Sequence, residues 1–267
     1  MMLRVALLLL TCLVPTSGYA SQIFYWSAES ATLDATRDYN PNNSTETAST
    51  TGTPAINGTA ALVGSNGIQI TGSGFAAEYY SFESASTNVN AAAGTIGFYV
   101  RIQTFTDAAA LVRLRTNSGA ANDNVTVYLS TATNNHIRLS IRNSGSGTVS
   151  FDCSTALSND TTYYVIVGWD RSVNDRRCEI YDSGGAPVGS NEDLTTSWTT
   201  PATGYPVTNG LIVGDIAGAN AAYYLDNLNL YDTYADIATA YTDRNRTSYW
   251  GAVSCRGALS LMGVGGC

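Results

Sequence analysis

Apolar and polar residues alternate with a period of two through the central chain. In Thr95–Ile102, Ile96, Phe98, Val100 and Ile102 share one face. In Tyr163–Asp170, Tyr163, Val165, Val167 and Trp169 do, and in His136–Arg142 the same holds for Ile137, Leu139 and Ile141. Successive side chains of a strand point to opposite sides, so the pattern predicts strands with one apolar and one polar face. Antiparallel sheets with one wet side carry this signature. Such segments follow one another from about residue 60 to 232, from Ala60–Val63 and Ile68–Thr71 through Thr148–Cys153 and Arg177–Tyr181 to Tyr223–Tyr231. Turn clusters such as Asn117-Ser118-Gly119, Asn143-Ser144-Gly145 and Ser183-Gly184-Gly185 separate them. A first strand is expected at Ile23–Trp26, a loop over Asp38–Gly58, and one or two helical turns over Asp236–Tyr241. Two sheets of this kind, packed face to face, make an all-β sandwich.

The N-terminus breaks the pattern. Arg4 precedes an apolar run from Val5 to Val14, Pro15 ends it, and Gly18-Tyr19-Ala20 offers small residues at a cleavage site. This reads as a signal peptide over 1–20, too short to span a bilayer, and predicts a secreted protein. No later segment reads as a membrane span. The expected organisation is then one β-sandwich over 21–241 and a C-terminal tail over 242–267. Removing the signal leaves Cys153, Cys178, Cys255 and Cys267, an even count that favours disulfides in an exported chain. Three pairings are open. Cys153 shares a face with Val149 and Phe151, and Cys178 with Ile180, so both point to the apolar side. This parity favours Cys153–Cys178, leaving Cys255–Cys267 to close a short loop in the tail.

Charge narrows the function classes. Only 13% of residues are charged, the 13 basic residues are all Arg, and the net charge is −8. No basic run exists to track phosphates, so nucleic-acid binding is not expected. An acidic surface also disfavours anionic membranes and polyanionic glycans, and attracts divalent cations.

Residues 94–232 resemble a laminin G-like, concanavalin A-like lectin/glucanase domain. The similarity rests on Gly94-Thr95-Ile96-Gly97-Phe98-Tyr99-Val100-Arg101 as opening strand and on Tyr163-Tyr164-Val165-Ile166-Val167-Gly168-Trp169-Asp170. It continues in Glu179-Ile180-Tyr181 with Gly184 as a hairpin, and ends in Tyr224-Leu225-Asp226-Asn227-Leu228-Asn229-Leu230-Tyr231-Asp232 as closing strand. The resemblance implies a concanavalin A-like jelly-roll sandwich of two antiparallel sheets. Members mostly bind glycans or proteins, and a minority cleave polysaccharides; fold alone does not choose.

The residues weigh against catalysis. The chain has six Glu, and none sits in the same-face acidic pattern of the family's glycosidases. Glu179 and Asp182 are three apart and face opposite sides, and Glu78 and Glu83 also differ in parity. His136 is the one His and starts a strand beside Asn134 and Asn135, as a turn residue does. For glycan binding, Tyr99, Tyr164, Asn227, Asn229 and Tyr231 fall on outward faces, where rings cover sugar faces and amides read hydroxyls. For a metal, Asp226 shares parity with Leu228 and Leu230, so it is expected inward and in need of a partner. Related sandwiches hold a structural Ca2+ where this Asp meets the N-terminal segment, which implies Asp226 and Glu29 as ligands here; backbone N–H groups or an Arg are the other partners open to Asp226. The expected function is a secreted, non-catalytic carbohydrate-binding or adhesion domain whose partner is a glycan or an extracellular protein. A structural surface or appendage protein, and then a polysaccharide-active hydrolase or lyase, are the alternatives.

Overall fold

The computed structural model describes residues 22–246 except 73–75, 84–91, 106–108, 115–124, 131–134, 143–147, 195–209 and 216–219. The expected signal peptide and the Cys255–Cys267 loop lie outside the described residues. In chain order the strands are β1 (Gln22–Trp26), β2 (Ser49–Thr51), β3 (Ala55–Asn57), β4 (Gly67–Ile70), β5 (Glu78–Phe82), β6 (Ala93–Thr104), β7 (Ala110–Leu114), β8 (Val125–Ser130), β9 (His136–Arg142), β10 (Thr148–Ala156), β11 (Thr162–Asp170), β12 (Asp175–Asp182), β13 (Pro187–Asp193), β14 (Leu211–Asp215) and β15 (Ala222–Tyr231). A helix, α1 (Ile237–Asp243), follows. The strands form two antiparallel sheets, so the expected all-β jelly-roll sandwich is the fold. The first sheet runs β13-β12-β11-β6-β15-β4-β3, with β1 also paired to β15; the second runs β10-β9-β8-β7-β14-β5-β2.

Alternation decides what lies between the sheets. Ile96, Phe98, Val100 and Ile102 of β6 pack with Val165, Val167 and Trp169 of β11, against Ile137, Leu139 and Ile141 of β9. Trp26 of β1 meets Tyr80 and Phe82 of β5 edge-on, with ring centroids 5.5 and 4.7 Å apart, and so fastens the N-terminal strand across the core. Cys153 on β10 and Cys178 on β12 are bonded, with Cα atoms 5.5 Å apart, and tie the two sheets at one margin. At that margin the Asn191 amide stands in for a neighbouring strand: its Nδ2 donates to Asp152 O at 2.8 Å and its Oδ1 accepts from Ser154 N at 3.0 Å.

Three expectations are corrected. Ala60–Val63 is no strand: Asn57 Oδ1 accepts from Ala60 N and caps a 3₁₀ turn over Gly58–Ala60, after which the chain runs as a loop. The Asp38–Gly58 stretch contains β2 and β3, short edge strands with no apolar alternation to announce them. Asp226 does not point inward with Leu228 and Leu230. Leu225, Leu228 and Leu230 face the core, while the β15–β6 pairing slips between Asp226 and Asn229 and Asn227 takes a left-handed φ of 51°. This β-bulge inserts one residue into the alternation and turns Asp226 to the outer side, opposite Tyr99.

Candidate binding face on the first sheet

The outer face of the first sheet gathers the glycan candidates. Tyr99, Tyr164 and Tyr231 lie together there, and the Tyr99 and Tyr164 ring centroids are 4.8 Å apart. They are not open to a ligand: a C-terminal strap, consisting of a turn at Tyr234–Asp236, α1 and Arg244–Arg246, covers them. Tyr99, Tyr164, Tyr231, Asn227 and Asn229 are each at most 2% exposed. The physical reason is a second, smaller apolar cluster, with Ile237 and Ala240 of α1 seated on Tyr164 and Ile166. A helix of seven residues is marginal alone, so the sheet holds it. Gly97 and Gly168 make the room: a Cβ on Gly168 would stand 2.8 Å from Ile237 Cδ1, and one on Gly97 2.4 Å from Tyr164 Oη.

Polar groups of this face complete the docking. The Tyr164 hydroxyl donates to Ala240 O (2.8 Å), one of the last helix carbonyls, which have no partner within the helix. Tyr231 donates to Asp243 Oδ2 (2.6 Å), Tyr99 to Asn245 Oδ1 (2.6 Å) and Tyr25 to Arg246 O (2.7 Å). Asn227 Nδ2 donates to Arg244 O and Arg246 O, at 2.5 and 2.9 Å. Burial raises the pKa of Tyr164 and Tyr231 well above that of free tyrosine, which keeps both hydroxyls as donors. The expected division at 241/242 therefore falls inside a docked helix. The alternation of Gly97 and Gly168 with core residues, and the Ile237, Ala240, Tyr241 spacing, were the available signals of this lid.

Asp226 lies beside this covered cluster. Its Oδ2 accepts from Leu62 N (2.8 Å) and Val63 N (2.7 Å), so backbone N–H groups partner the carboxylate. Glu29 Oε1 accepts from Ser65 N (2.7 Å) in the same loop. Asp226 Oδ1 is buried and accepts no hydrogen bond. Burial pushes the Asp226 pKa up to about 7; the amides of Val63, Leu62 and Asn227 pull it down, and nearby Glu29 adds to the rise. An orphaned carboxylate oxygen with a second carboxylate in its field is the chemistry a divalent cation would answer. Among the described residues no third His, Cys, Asp or Glu completes a cluster with them. The remainder of a six- to eight-oxygen shell falls to backbone carbonyls and water.

One row further along the strands the face is polar and lies beyond the strap. Register sets Thr162 of β11, Arg101 of β6, Tyr224 of β15 and Gln69 of β4 side by side. Arg101 lies over the Tyr224 ring, 4.6 Å from its centroid, and donates to Thr59 O at 3.2 Å. Asn57 Nδ2 donates to Gln69 Oε1 at 2.7 Å. Arg101, Gln69 and Thr162 are partly exposed.

Sequence reasoning missed an acidic pair. Glu78 on β5 stands opposite Asp215 on β14, inside the sandwich. Glu78 accepts from Thr71 N and Gly72 N, at 2.9 and 3.0 Å, and the two residues are 3% and 1% exposed. Only pairing register, which the sequence does not state, brings them together.

No protein-family model matches the chain, and no curated protein matches it. Among solved structures, the binding domain of Paraclostridial Mosquitocidal Protein 1 is similar, with a TM-score of 0.52 and 12% identity over 83% of this chain and 51% of that one. The binding domain of botulinum neurotoxin DC, solved in complex with rat synaptotagmin II, is similar with a TM-score of 0.52 and 11% identity, over 83% of this chain and 50% of that one. This chain thus spans about half the length of those structures. At these identities the likeness shows a shared β-sandwich fold.

Proposed function

We propose that this chain is a secreted, non-catalytic carbohydrate-binding domain of the laminin G-like, concanavalin A-like type, stabilised by calcium at Asp226 and Glu29. The observation that carries the binding role is the row of partly exposed Thr162, Arg101 and Gln69, set around the buried Tyr224 ring on the first sheet. Hydrogen-bonding side chains fixed on a flat, rigid sheet, beside a face otherwise closed by the strap, suit a ligand rich in hydroxyls. The fold it shares with two toxin binding domains supports a binding role, and the synaptotagmin complex of one makes an extracellular protein the alternative partner. Among the described residues three large apolar side chains, Val173, Val188 and Leu194, are exposed, and none of them lies on this row. Calcium, where bound, supplies charge to Asp226 Oδ1 and ties the Leu62–Ser65 loop to β15.

The test is a glycan array and polysaccharide pull-down with the secreted chain, with and without EDTA. Saturable binding to a subset of glycans is expected. Uniformly blank arrays would overturn the carbohydrate reading, and a melting temperature unmoved by EDTA would overturn the calcium site.

A further inference from the structure

Five of the 13 arginines of this acidic chain form ion pairs among the described residues. Arg37, Arg138, Arg176, Arg177 and Arg246 pair with Asp34, Asp152, Asp193, Glu179 and Asp243. Arg101 has no carboxylate partner among the described residues. Its contacts are the Thr59 carbonyl, taken by Nη2, and the Tyr224 ring, which together fix the plane of the guanidinium and leave its other N–H groups for a ligand. Gln69 is fixed in the same way: Asn57 occupies its Oε1, so its Nε2 is left as a donor. The row therefore offers donors on either side of Tyr224, at Arg101 on β6 and Gln69 on β4, and its complement is a group with several acceptors.

The aromatic ring of the row is already used. Tyr224 is 5% exposed, with Arg101 across it, so it offers no face to stack on a neutral pyranose. Recognition here is by charge and hydrogen bonds. The guanidinium fork matches a carboxylate in two parallel bonds, and the net charge of −8 repels extended polyanions while tolerating one negative group at a local cation.

We infer that Arg101 and Gln69 bind the carboxylate of a single acidic sugar, of the uronic or sialic type, at the end of a glycan. This rests on the carbohydrate-binding reading above. The experiment is an array carrying glycans that end in glucuronic acid, galacturonic acid or N-acetylneuraminic acid, each beside its carboxyl methyl ester and a neutral counterpart. Esterification and Arg101→Gln each weaken binding about tenfold or more, and Arg101→Lys, which keeps the charge and loses the fork, falls between. Because Arg101 packs on Tyr224, Gln69→Ala is the second variant, expected to weaken binding several-fold while the melting temperature falls only slightly through loss of the Asn57 hydrogen bond. The preferred acid names the source of the carboxylate. Equal binding of acid and ester, or binding to neutral glycans that Arg101→Gln leaves intact, overturns this inference and leaves the carbohydrate reading standing. Blank arrays for every form overturn both.

Discussion

Asn227 holds a left-handed backbone in the middle of β15 and spends its side chain on two strap carbonyls. Asn is among the few residues that take this conformation readily. Asn227→Ala loses both hydrogen bonds and keeps the strained φ, so it should cost about 1–3 kcal/mol in urea unfolding. Asp226→Asn separates two roles of its neighbour. It keeps an oxygen for the Leu62 and Val63 amides and removes the charge beside Glu29. In EDTA the variant should melt no lower than the parent, and calcium should no longer raise its melting temperature; a retained calcium response would place the cation elsewhere. At this scale the sequence was partly misleading. A period of two has no place for an inserted residue, so alternation turned Asp226 inward. The closing-strand resemblance implied Asp226 and Glu29 as partners of one cation, and the structure hydrogen-bonds both to the loop of Leu62, Val63 and Ser65.

Among elements, the strap was the least legible and changes the site most. Outward parity correctly placed Tyr99, Tyr164 and Tyr231 on one face, but parity cannot say what covers a face. A helix with one apolar stripe and two outward glycines was visible only in hindsight, since each feature alone is common. Gly97→Ala tests the lid: its Cβ would push on the Tyr164 hydroxyl that holds Ala240 O. The expected cost is about 1–3 kcal/mol, with faster tryptic cleavage after Arg244 and Arg246; cleavage at the parent rate would show the strap does not depend on that contact. The disulfide was legible from the same parity, because two inward cysteines on different strands have only the core to meet in. It closes a separation of 25 residues, so removing it as a Cys153→Ala/Cys178→Ala pair should cost about 3 kcal/mol, read from urea midpoints.

Across the whole molecule, burial loads the fold with carboxyls that resist ionisation. Asp38, Asp175, Asp226, Asp232, Asp236 and Asp243 are all raised, each chiefly by desolvation. The folded chain therefore holds protons that the unfolded chain releases near pH 4, and stability declines as pH climbs from there through the Asp226 value of about 7. In EDTA the melting temperature should be higher at about pH 5 than at about pH 8; a rise toward pH 8 would mean other groups dominate. Calcium should recover part of the loss at the higher pH. The sandwich itself was the most legible feature, since alternation over β6, β9 and β11 leaves antiparallel sheets as the way to hide one side of each. The binding row was not, because Arg101, Tyr224 and Gln69 lie on three strands far apart in sequence and meet only through register.

The proposed working surface is the partly exposed row of the first sheet. Hydrogen–deuterium exchange of the secreted chain, with and without a saccharide selected on the array, tests this directly. Bound saccharide should slow exchange around Arg101, Tyr224 and Gln69 and leave β8 and β9 of the second sheet unchanged. Protection centred on β8 and β9, with none at those three positions, would contradict it.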